Sequence, residues 1–219
     1  MTGNELRDLL AKGAKMLRVD VSDKALDLFL QYLENLKKWN SSINLTAIKD
    51  DKEIVLNHFL DSISVVRLIA NCGDVLDIGS GGGFPGIPIK IVRPELNITL
   101  LDAVNKKVSF MNDTIRKLEL KDIRAIWGRA EDSGNNIPRN CFDYVITRAV
   151  GGIEEITQLG LPYLSENGEM ILMRGRQGIS EWNRVKNEVR DRVEFKNCIE
   201  FTLPFIEKKR TIIVLKQKH

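Results

Sequence analysis

Cysteine, histidine and long apolar runs are scarce in this sequence, and each scarcity excludes a class of protein. The three cysteines are far apart and form no Cys-x-x-Cys pair, which argues against a disulfide framework and a cysteine-based zinc site. The two histidines leave too few ligands for a histidine metal centre, so no metal is expected. No stretch approaches the ~20 uncharged apolar residues of a membrane span, so no membrane partner is expected either.

The cellular location and the size of the core follow from the same composition. The sequence opens with charged, helix-like residues instead of the apolar core of a secretory signal, and together with the unpaired cysteines this predicts a cytoplasmic location. A length of 219 residues, 43% of them hydrophobic and 29% charged, suffices for one well-buried domain with an appendage. The oligomeric state stays open, with a monomer as the favoured expectation.

Positive charge is concentrated towards the C-terminal end. Residues 174–219 carry twelve Lys/Arg and six Asp/Glu, whereas the rest of the chain has a small excess of acidic residues. A basic region of this kind indicates a polyanionic partner. Ordinary surface charge explains it equally well at this point.

The order of apolar segments predicts the fold class. From residue 74, short apolar strands alternate with helical segments, which indicates a mostly parallel sheet with helices on both faces. The predicted strands cover 74–79, 97–102, 123–128, 142–147, 168–173, 194–203 and 210–216, and the predicted helices cover 86–93, 105–118, 152–164 and 179–191. The last two strands have no helix between them and should form an antiparallel hairpin. Seven strands ending this way match the Rossmann-like α/β sheet of class I S-adenosylmethionine-dependent methyltransferases, and not the six-stranded dinucleotide fold.

The N-terminal region is predicted to be helical. Ser22 can cap a helix with apolar residues at helical spacing, and a second helix is expected from about Asp51. We expect residues 1–70 to form a helical extension packed on the core and residues 71–219 to form the methyltransferase domain. His58 and Asp61, three residues apart on the second helix, are interpreted as a packing pair between extension and sheet, in preference to half of a metal site.

A glycine-rich loop follows the first predicted strand. Its pattern Asp77-x-Gly79-x-Gly81-x-Gly83 resembles the cofactor loop of class I methyltransferases, which bind S-adenosylmethionine. Glycine lacks a Cβ, so the chain can turn sharply and a ligand can lie against the backbone. A carboxylate at Asp77 suits the ammonium group of a methionine moiety and would repel a pyrophosphate.

Two alternatives remain open for this loop. Gly81-x-Gly83-x-x-Gly86, with Asp102 sixteen residues further on, formally satisfies the dinucleotide fingerprint. The glycine-rich turn begins at Gly79, however, two residues before that register. A plain structural turn is the other alternative, although five glycines within eight residues exceed what a turn needs.

Further site residues are expected where the next strands end, because ligands of such sheets lie at the C-terminal ends of the strands. Asp102 can accept hydrogen bonds from both ribose hydroxyls, although it could instead cap the next helix. Ala130 and Glu131 follow the third strand, where a small residue and an acid commonly frame an adenine; a solvated charged loop is the alternative. Arg148 ends the fourth strand and should bind the methionine carboxylate, a neighbouring acid or an RNA phosphate, with a structural salt bridge as the alternative.

Two absences near the fourth strand restrict the chemistry. The sequence has no Asn/Asp-Pro-Pro-Tyr/Phe segment, which amino-directed methyltransferases use to hold an exocyclic amine. No cysteine stands at this strand end to serve as the nucleophile of a pyrimidine-C5 enzyme. Both of these target classes are therefore disfavoured.

Several motifs occur in the order seen in one known family. They are Asn44-Leu-Thr-Ala-Ile48, His58-x-x-Asp61-Ser62, the segment 76–87, Leu101-Asp102 with Lys106-Lys107, Arg129-Ala-Glu131 and Thr147-Arg-Ala149. Together they resemble the bacterial glucose-inhibited division protein B family, the 16S ribosomal RNA guanine-N7 methyltransferases. The resemblance extends over nearly the whole chain.

The resemblance implies a substrate and a set of site residues. It implies methylation of one guanine near the decoding centre, in 16S ribosomal RNA or a small-subunit assembly intermediate. The implied cofactor contacts are Gly79, Phe84, Asp102, Ala130, Glu131 and Arg148. Guanine N7 has a lone pair and no proton, so catalysis should rest on positioning and no catalytic residue is assigned.

RNA is expected to bind along a basic edge of the site. The candidates are Arg174, Arg176, Arg184, Lys208, Lys209 and Arg210, with Lys106 and Lys107 also considered. Arg174 stands where the family usually has lysine, and the two side chains differ in geometry. Two other functions stay open, a small-molecule methyltransferase with a closed apolar pocket and a nucleotide-dependent oxidoreductase or binding module.

Overall fold

The computed structural model describes residues 1–132, 134 and 136–218. Its described strands form one sheet of seven, in the order β3-β2-β1-β4-β5-β7-β6. They are β1 Gly73–Ile78, β2 Leu96–Asp102, β3 Ile123–Trp127, β4 Phe142–Arg148, β5 Leu164–Gly175, β6 Val193–Thr202 and β7 Lys209–Gln217. The first five strands pair in parallel, and β7 pairs antiparallel with both β5 and β6. The predicted fold class, including the C-terminal hairpin, is confirmed.

Two capped helices open the chain. They are α1 Gly3–Met16 and α2 Asp23–Asn40. The hydroxyl oxygen of Thr2 accepts a hydrogen bond from Glu5 N at 3.3 Å, and that of Ser22 accepts one from Ala25 N at 3.2 Å. Each cap satisfies a backbone donor that the first helical turn leaves unpaired, which fixes where the helix begins.

The second predicted helix of the N-terminal region is irregular. It consists of α3 Asp51–Ile54, a π-helical turn Val55–Leu60 and α4 Asp61–Ile63, followed by a 3-10 turn Val66–Leu68. A π turn is wider than an α turn and is frequent at functional sites. This stretch supplies three side chains to the site described below.

The remaining helices flank the sheet. They are α5 Gly86–Val92, α6 Asn105–Lys117, α7 Ile153–Gly160, α8 Gly178–Trp182 and α9 Asn187–Arg190. The helix predicted at 152–164 ends at Gly160 and continues as a 3-10 turn. The single helix predicted at 179–191 is wrong, because Val185 N bonds to Trp182 O at 3.0 Å and this tighter turn separates α8 from α9.

The order of the strands determines where a ligand can bind. The chain runs from β1 outwards through β2 and β3 and then returns to the other side of β1 with β4. Helices that follow β1 and β4 therefore cover opposite faces, and a crevice opens at the C-terminal ends of these two strands. Gly79 directly follows β1 and Arg148 ends β4, so both lie at this crevice.

Aromatic side chains join the N-terminal helices to the sheet layer. The ring centroid of Tyr32 in α2 lies 5.3 Å from that of Phe59 and 5.5 Å from that of Phe84. All three are buried in one core that contains residues from both sides of position 70. Burying such a side chain stabilises a fold by about 1.5–3 kcal/mol. The division of the chain at residue 70 stays a prediction. None of the described helices is long and apolar enough to cross a membrane.

Candidate active site

The glycine loop after β1 combines tight packing on one side with an open face on the other. Gly79, Gly81 and Gly83 have positive φ angles of 74°, 58° and 82°. A Cβ on Gly79 would meet Val150 Cγ2 at 2.4 Å, and one on Gly83 would meet Ile87 Cδ1 at 2.4 Å. A Cβ on Gly81 would have Gly79 O, at 3.9 Å, as its nearest atom. The backbone at Gly81 is therefore accessible to a ligand, as a cofactor loop requires.

Asp77 lies beneath this loop and is fully buried. Its Oδ2 accepts a hydrogen bond from Gly86 N at 2.9 Å, while Oδ1 has no partner among the described residues. Burial raises the pKa of Asp77 to about 7, and the bond from Gly86 opposes that shift. A buried carboxylate with one unpaired oxygen is suited to a cation or a donor that arrives with a ligand.

Asp102, at the end of β2, is tied to the same loop. Its Oδ2 accepts from Gly81 N and its Oδ1 from Val104 N, both at 2.8 Å. The alternative role as a helix cap is wrong, because α6 begins after Val104 without a side-chain cap bond. Asp102 instead holds the end of β2 against the glycine loop, with its carboxylate at the C-terminal edge of the sheet.

Ala130 and Glu131 differ in exposure. Ala130 is buried, and its carbonyl accepts a hydrogen bond from Tyr163 Oη at 2.7 Å. The side chain of Glu131 is 54% exposed and lies 3.6 Å from Arg129 Nη1. The backbone at this position is thus fixed, while the carboxylate beside it is open to solvent.

Arg148 makes its polar contacts with the N-terminal region. Its Nη1 lies 3.2 Å from Asn57 O and 3.4 Å from Asp61 Oδ2, and its Nη2 lies 3.1 Å from His58 Nδ1. Its Cζ stands 5.0 Å from the centre of the Phe84 ring, within cation–π range. Burial lowers the pKa of Arg148, and Asp61 opposes this shift. A neighbouring acid is therefore one partner of Arg148, as the sequence allowed.

His58 is a neutral link in this network. Burial and the positive charges of Arg148 and Lys208 lower its pKa to about 3. Because Nδ1 faces the Arg148 donor, we assign the proton to Nε2, which lies 2.7 Å from Thr46 Oγ1. The ring stacks on Phe84 with centroids 4.6 Å apart and an interplanar angle of 16°. The other histidine, His219, lies outside the described residues.

His58 and Asp61 do connect the helical extension to the sheet, but they do so through arginines. Asp61 Oδ1 accepts from Arg210 Nε at 2.9 Å, and Asn57 Oδ1 accepts from Lys208 Nζ at 2.7 Å. Within the described residues no group of histidine, cysteine and acidic side chains could hold a metal ion. The network therefore positions cations at the crevice instead of binding a metal.

These side chains surround a cavity of about 400 Å³. It is lined by Leu45, Ile48, Asn57, His58, Asp61, the glycine loop 79–82, Phe84, the segment 148–149, the segment 173–175, Lys208 and Arg210. Glycine backbone forms one wall and cationic side chains form the opposite rim.

The structure separates the RNA-binding candidates into two groups. Lys208 and Arg210 line the cavity together with Arg174. Arg174 is nevertheless buried, its Nη1 donates to Gly151 O at 2.7 Å, and its Nε and Nη2 have no partner among the described atoms. The other three, Arg176, Arg184 and Lys209, are exposed and lie outside the cavity lining. Lys106 and Lys107 lie in the first turn of α6.

Comparison with known proteins identifies the family. Residues 25–214 match the model of GidB, rRNA small subunit methyltransferase G. The chain belongs to this family. A protein named ribosomal RNA small subunit methyltransferase G from Acetivibrio thermocellus is 40% identical over 97% of this chain and 89% of its own length. The protein of the same name from Geobacter metallireducens is 38% identical over 98% of both chains.

A solved structure supports the fold of this rRNA small subunit methyltransferase G family member. The structure of Methanocaldococcus-type TYW2, printed as M. jannaschii TYW2 in complex with AdoMet, aligns with a TM-score of 0.56. It covers 72% of this chain and 75% of the TYW2 chain at 10% identity, which shows a shared fold only. Family membership confirms the predicted methyltransferase activity and removes the oxidoreductase alternative.

Some residues of this family member's candidate site were missed by sequence reasoning. Asn57 contacts both Arg148 and Lys208, and Thr46 orients His58. Thr46 lies within the Asn44–Ile48 motif, which carried the family resemblance without a role. The spacing of Asn57 and Asp61, four residues apart, was the available signal that both face the same side of one helical stretch.

Proposed function

We propose that this protein transfers a methyl group from S-adenosylmethionine to N7 of one guanine of 16S ribosomal RNA near the decoding centre. The observation that carries the proposal is the near full-length match to proteins named ribosomal RNA small subunit methyltransferase G. The substrate is either the RNA itself or a small-subunit assembly intermediate. The basic C-terminal region and the exposed cations at the crevice support a polyanionic substrate.

The residues at the crevice fit the proposed cofactor. Asp77 offers a buried, unpaired carboxylate oxygen for the ammonium group, and the open backbone at Gly81 offers room for a ligand. The TYW2 structure holds AdoMet on the same fold. The residues that would hold the cofactor are Asp77, Gly79, Gly81, Gly83, Phe84, Asp102, Ala130, Glu131 and Arg148. Asp102 would receive the ribose hydroxyls, and Ala130 with Glu131 would frame the adenine.

The reaction needs little acid–base chemistry from the protein. S-adenosylmethionine supplies an electrophilic methyl group on a sulfonium. Guanine N7 has a lone pair and no proton, so no base has to remove one. His58 Nδ1 faces a donor of Arg148 and its pKa is about 3, which leaves this imidazole without a free basic nitrogen. The chain therefore contributes alignment of the reactants and exclusion of water.

Charge compensation is the second contribution of the chain. A bare arginine beside a sulfonium would raise the energy of the bound state. Asp61 stands 3.4 Å from Arg148 and also binds Arg210, and its side chain is 5% exposed. Its negative charge offsets both cations in a region of low dielectric constant. Arg148 can then hold its neighbours in place without a large penalty to the proposed cofactor.

RNA would be bound by the cations at the rim. The exposed candidates Arg176, Arg184 and Lys209 can contact phosphates, and Lys208 and Arg210 stand at the cavity itself. Arg174 is assigned a place inside the site wall, since it is buried beside Gly151. Affinity should fall by roughly 0.7 log units per log unit of salt for each phosphate contacted on a single strand.

The test is to incubate the protein with labelled S-adenosylmethionine and either small-subunit RNA or the particle that lack the modification. We expect the label on one guanine at N7, detected as chain scission after reduction and aniline treatment. Label on an exocyclic amine or a ribose would contradict the proposed target atom. Label on no RNA would refute the proposed substrate.

A further inference from the structure

The connection between β6 and β7 contains a strained aromatic residue. Residues 203–208 form this connection, and Ile206 N donates to Leu203 O at 3.4 Å. Pro204 and Phe205 therefore occupy the two central positions of a turn, and Phe205 has a φ of +65°. Glycine or asparagine usually fills such a position, because a Cβ is disfavoured in the left-handed region. Phenylalanine is held there at a steric cost.

Packing does not account for this phenylalanine. Its neighbours Leu203 and Pro204 are buried, whereas Phe205 is 47% exposed. In the described part of the chain no other aromatic ring is recorded against it. Backbone strain that persists without a packing reason points to a functional role.

The position of the turn suggests what the ring contacts. Lys208, three residues further on, lines the candidate cavity and donates to Asn57 Oδ1 at 2.7 Å. Lys209 is exposed, and Arg210 lines the cavity again. The Leu203 N to Lys208 O bond of 3.0 Å closes the connection, so the ring belongs to the basic rim of the crevice.

We propose that Phe205 stacks on an unpaired nucleobase of the substrate RNA, next to the guanine that is methylated. This inference rests on the proposed function. Single-stranded RNA is commonly bound by an aromatic face beside cations, since every base has a π face and every linkage has a phosphate. Phe205 supplies the aromatic face, and Lys209 supplies a phosphate contact beside it.

The experiment compares Phe205→Gly with Phe205→Trp, using free RNA or the small-subunit particle, whichever the wild type methylates. Glycine suits the backbone angle, so Phe205→Gly should unfold at the same or a higher denaturant concentration than wild type. Its RNA affinity should fall about 5- to 150-fold, the effect expected for loss of one stacked base. Binding of S-adenosylhomocysteine, measured by calorimetry, should not change.

Two further measurements separate stacking from other contacts. Tryptophan at position 205 should retain most of the affinity, and RNA should quench its fluorescence beyond the change seen in wild type. Phe205→Gly should leave the slope of log affinity against log salt unchanged, whereas Lys209→Gln should reduce that slope by about 0.7.

The outcomes distinguish this inference from the proposed function. Wild-type RNA affinity in Phe205→Gly, with RNA methylation intact, would overturn the stacking role alone. A loss of affinity without quenching at Trp in position 205 would indicate contact with a protein component, and would overturn it as well. If the wild type acts on no RNA, the proposed function fails, and this inference fails with it.

Discussion

Asp61 accepts a hydrogen bond from Arg210 Nε at 2.9 Å, although 149 residues separate the two in sequence. The other oxygen of the same carboxylate faces Arg148, at the end of a central strand. One buried acid of the N-terminal region thus orients cations from two different parts of the sheet. The stability of the fold and the geometry of the candidate site should therefore respond together to changes at this residue.

Replacing Asp61 with Asn should destabilise the protein strongly. Asp61→Asn leaves Arg148 and Arg210, with side chains only 14% and 15% exposed, without their anionic partner. Removing one partner of a buried ion pair costs about 3–5 kcal/mol. Denaturant unfolding measures the loss. Glu154→Gln is the control, because its ion pair with Lys186 is largely exposed and is worth about 0–1 kcal/mol. Equal losses in the two variants would contradict the role given to Asp61.

Stability should depend on pH through Asp77. Its pKa is raised from 3.8 to about 7 in the folded protein, so the folded state binds more protons than the unfolded state between these values. Relative to Asp77→Asn, the wild type should lose stability as pH rises from 4 to 7, with a slope of at most about 1.4 kcal/mol per pH unit. Unfolding free energies of both proteins across this range provide the measurement. A constant difference would show that Asp77 titrates normally.

His58 should stay neutral throughout the physiological range. Burial and nearby cations lower its pKa to about 3, so its ring nitrogens should show no titration between pH 5 and 8 by NMR. The stabilisation linked to the neutral ring is complete above the unfolded pKa of about 6.5 and is lost as pH falls towards 3. Arg148→Gln should raise the pKa of His58 without restoring its usual value, since burial is the larger cause. Titration of wild-type His58 near pH 6.5 would disprove this assignment.

Two glycines of the same loop should respond differently to a methyl group. Gly83→Ala brings a Cβ to 2.4 Å from Ile87 Cδ1 and should lower the melting temperature markedly. Gly81→Ala meets open space and should lose only about 1–2 kcal/mol from its positive φ. Its affinity for S-adenosylhomocysteine should nevertheless fall at least tenfold, because the new methyl group occupies ligand space.

Calorimetry and thermal unfolding separate these two effects. Gly3→Ala is the control, since a Cβ there has no neighbour within 4 Å and lies far from the loop in sequence. Unchanged affinity in Gly81→Ala would move the ligand away from this part of the backbone.

Local patterns in the sequence were sufficient for most of the sheet. Each predicted strand overlaps an observed one, because short apolar runs bounded by turn residues leave few other structures. The cap at Ser22 and the glycine loop were predictable for the same reason, since their chemistry lies within a few residues. The split between α8 and α9 was not, because Trp182 and Val189 kept helical spacing across the tighter turn.

The contacts around Arg148 were beyond the reach of sequence reasoning. They join Asn57, His58 and Asp61 to a strand end about ninety residues later, and no local spacing encodes such a distance. The burial of Arg174 was missed for a similar reason. An arginine that follows an apolar strand is usually solvated, but here Gly178 and Thr211 pack against its stem.

The π-helical turn Val55–Leu60 has a consequence for natural and designed variants of this chain. A π turn accommodates one residue more than a regular helical repeat. Deleting a single amino acid within it would restore an ordinary helix and rotate whatever follows by about 100° relative to what precedes. Asn57 and Asp61 would then face different directions, and the cations of the sheet would lose their common anchor. Length in this short stretch should thus be less tolerant of change than the identity of its apolar side chains.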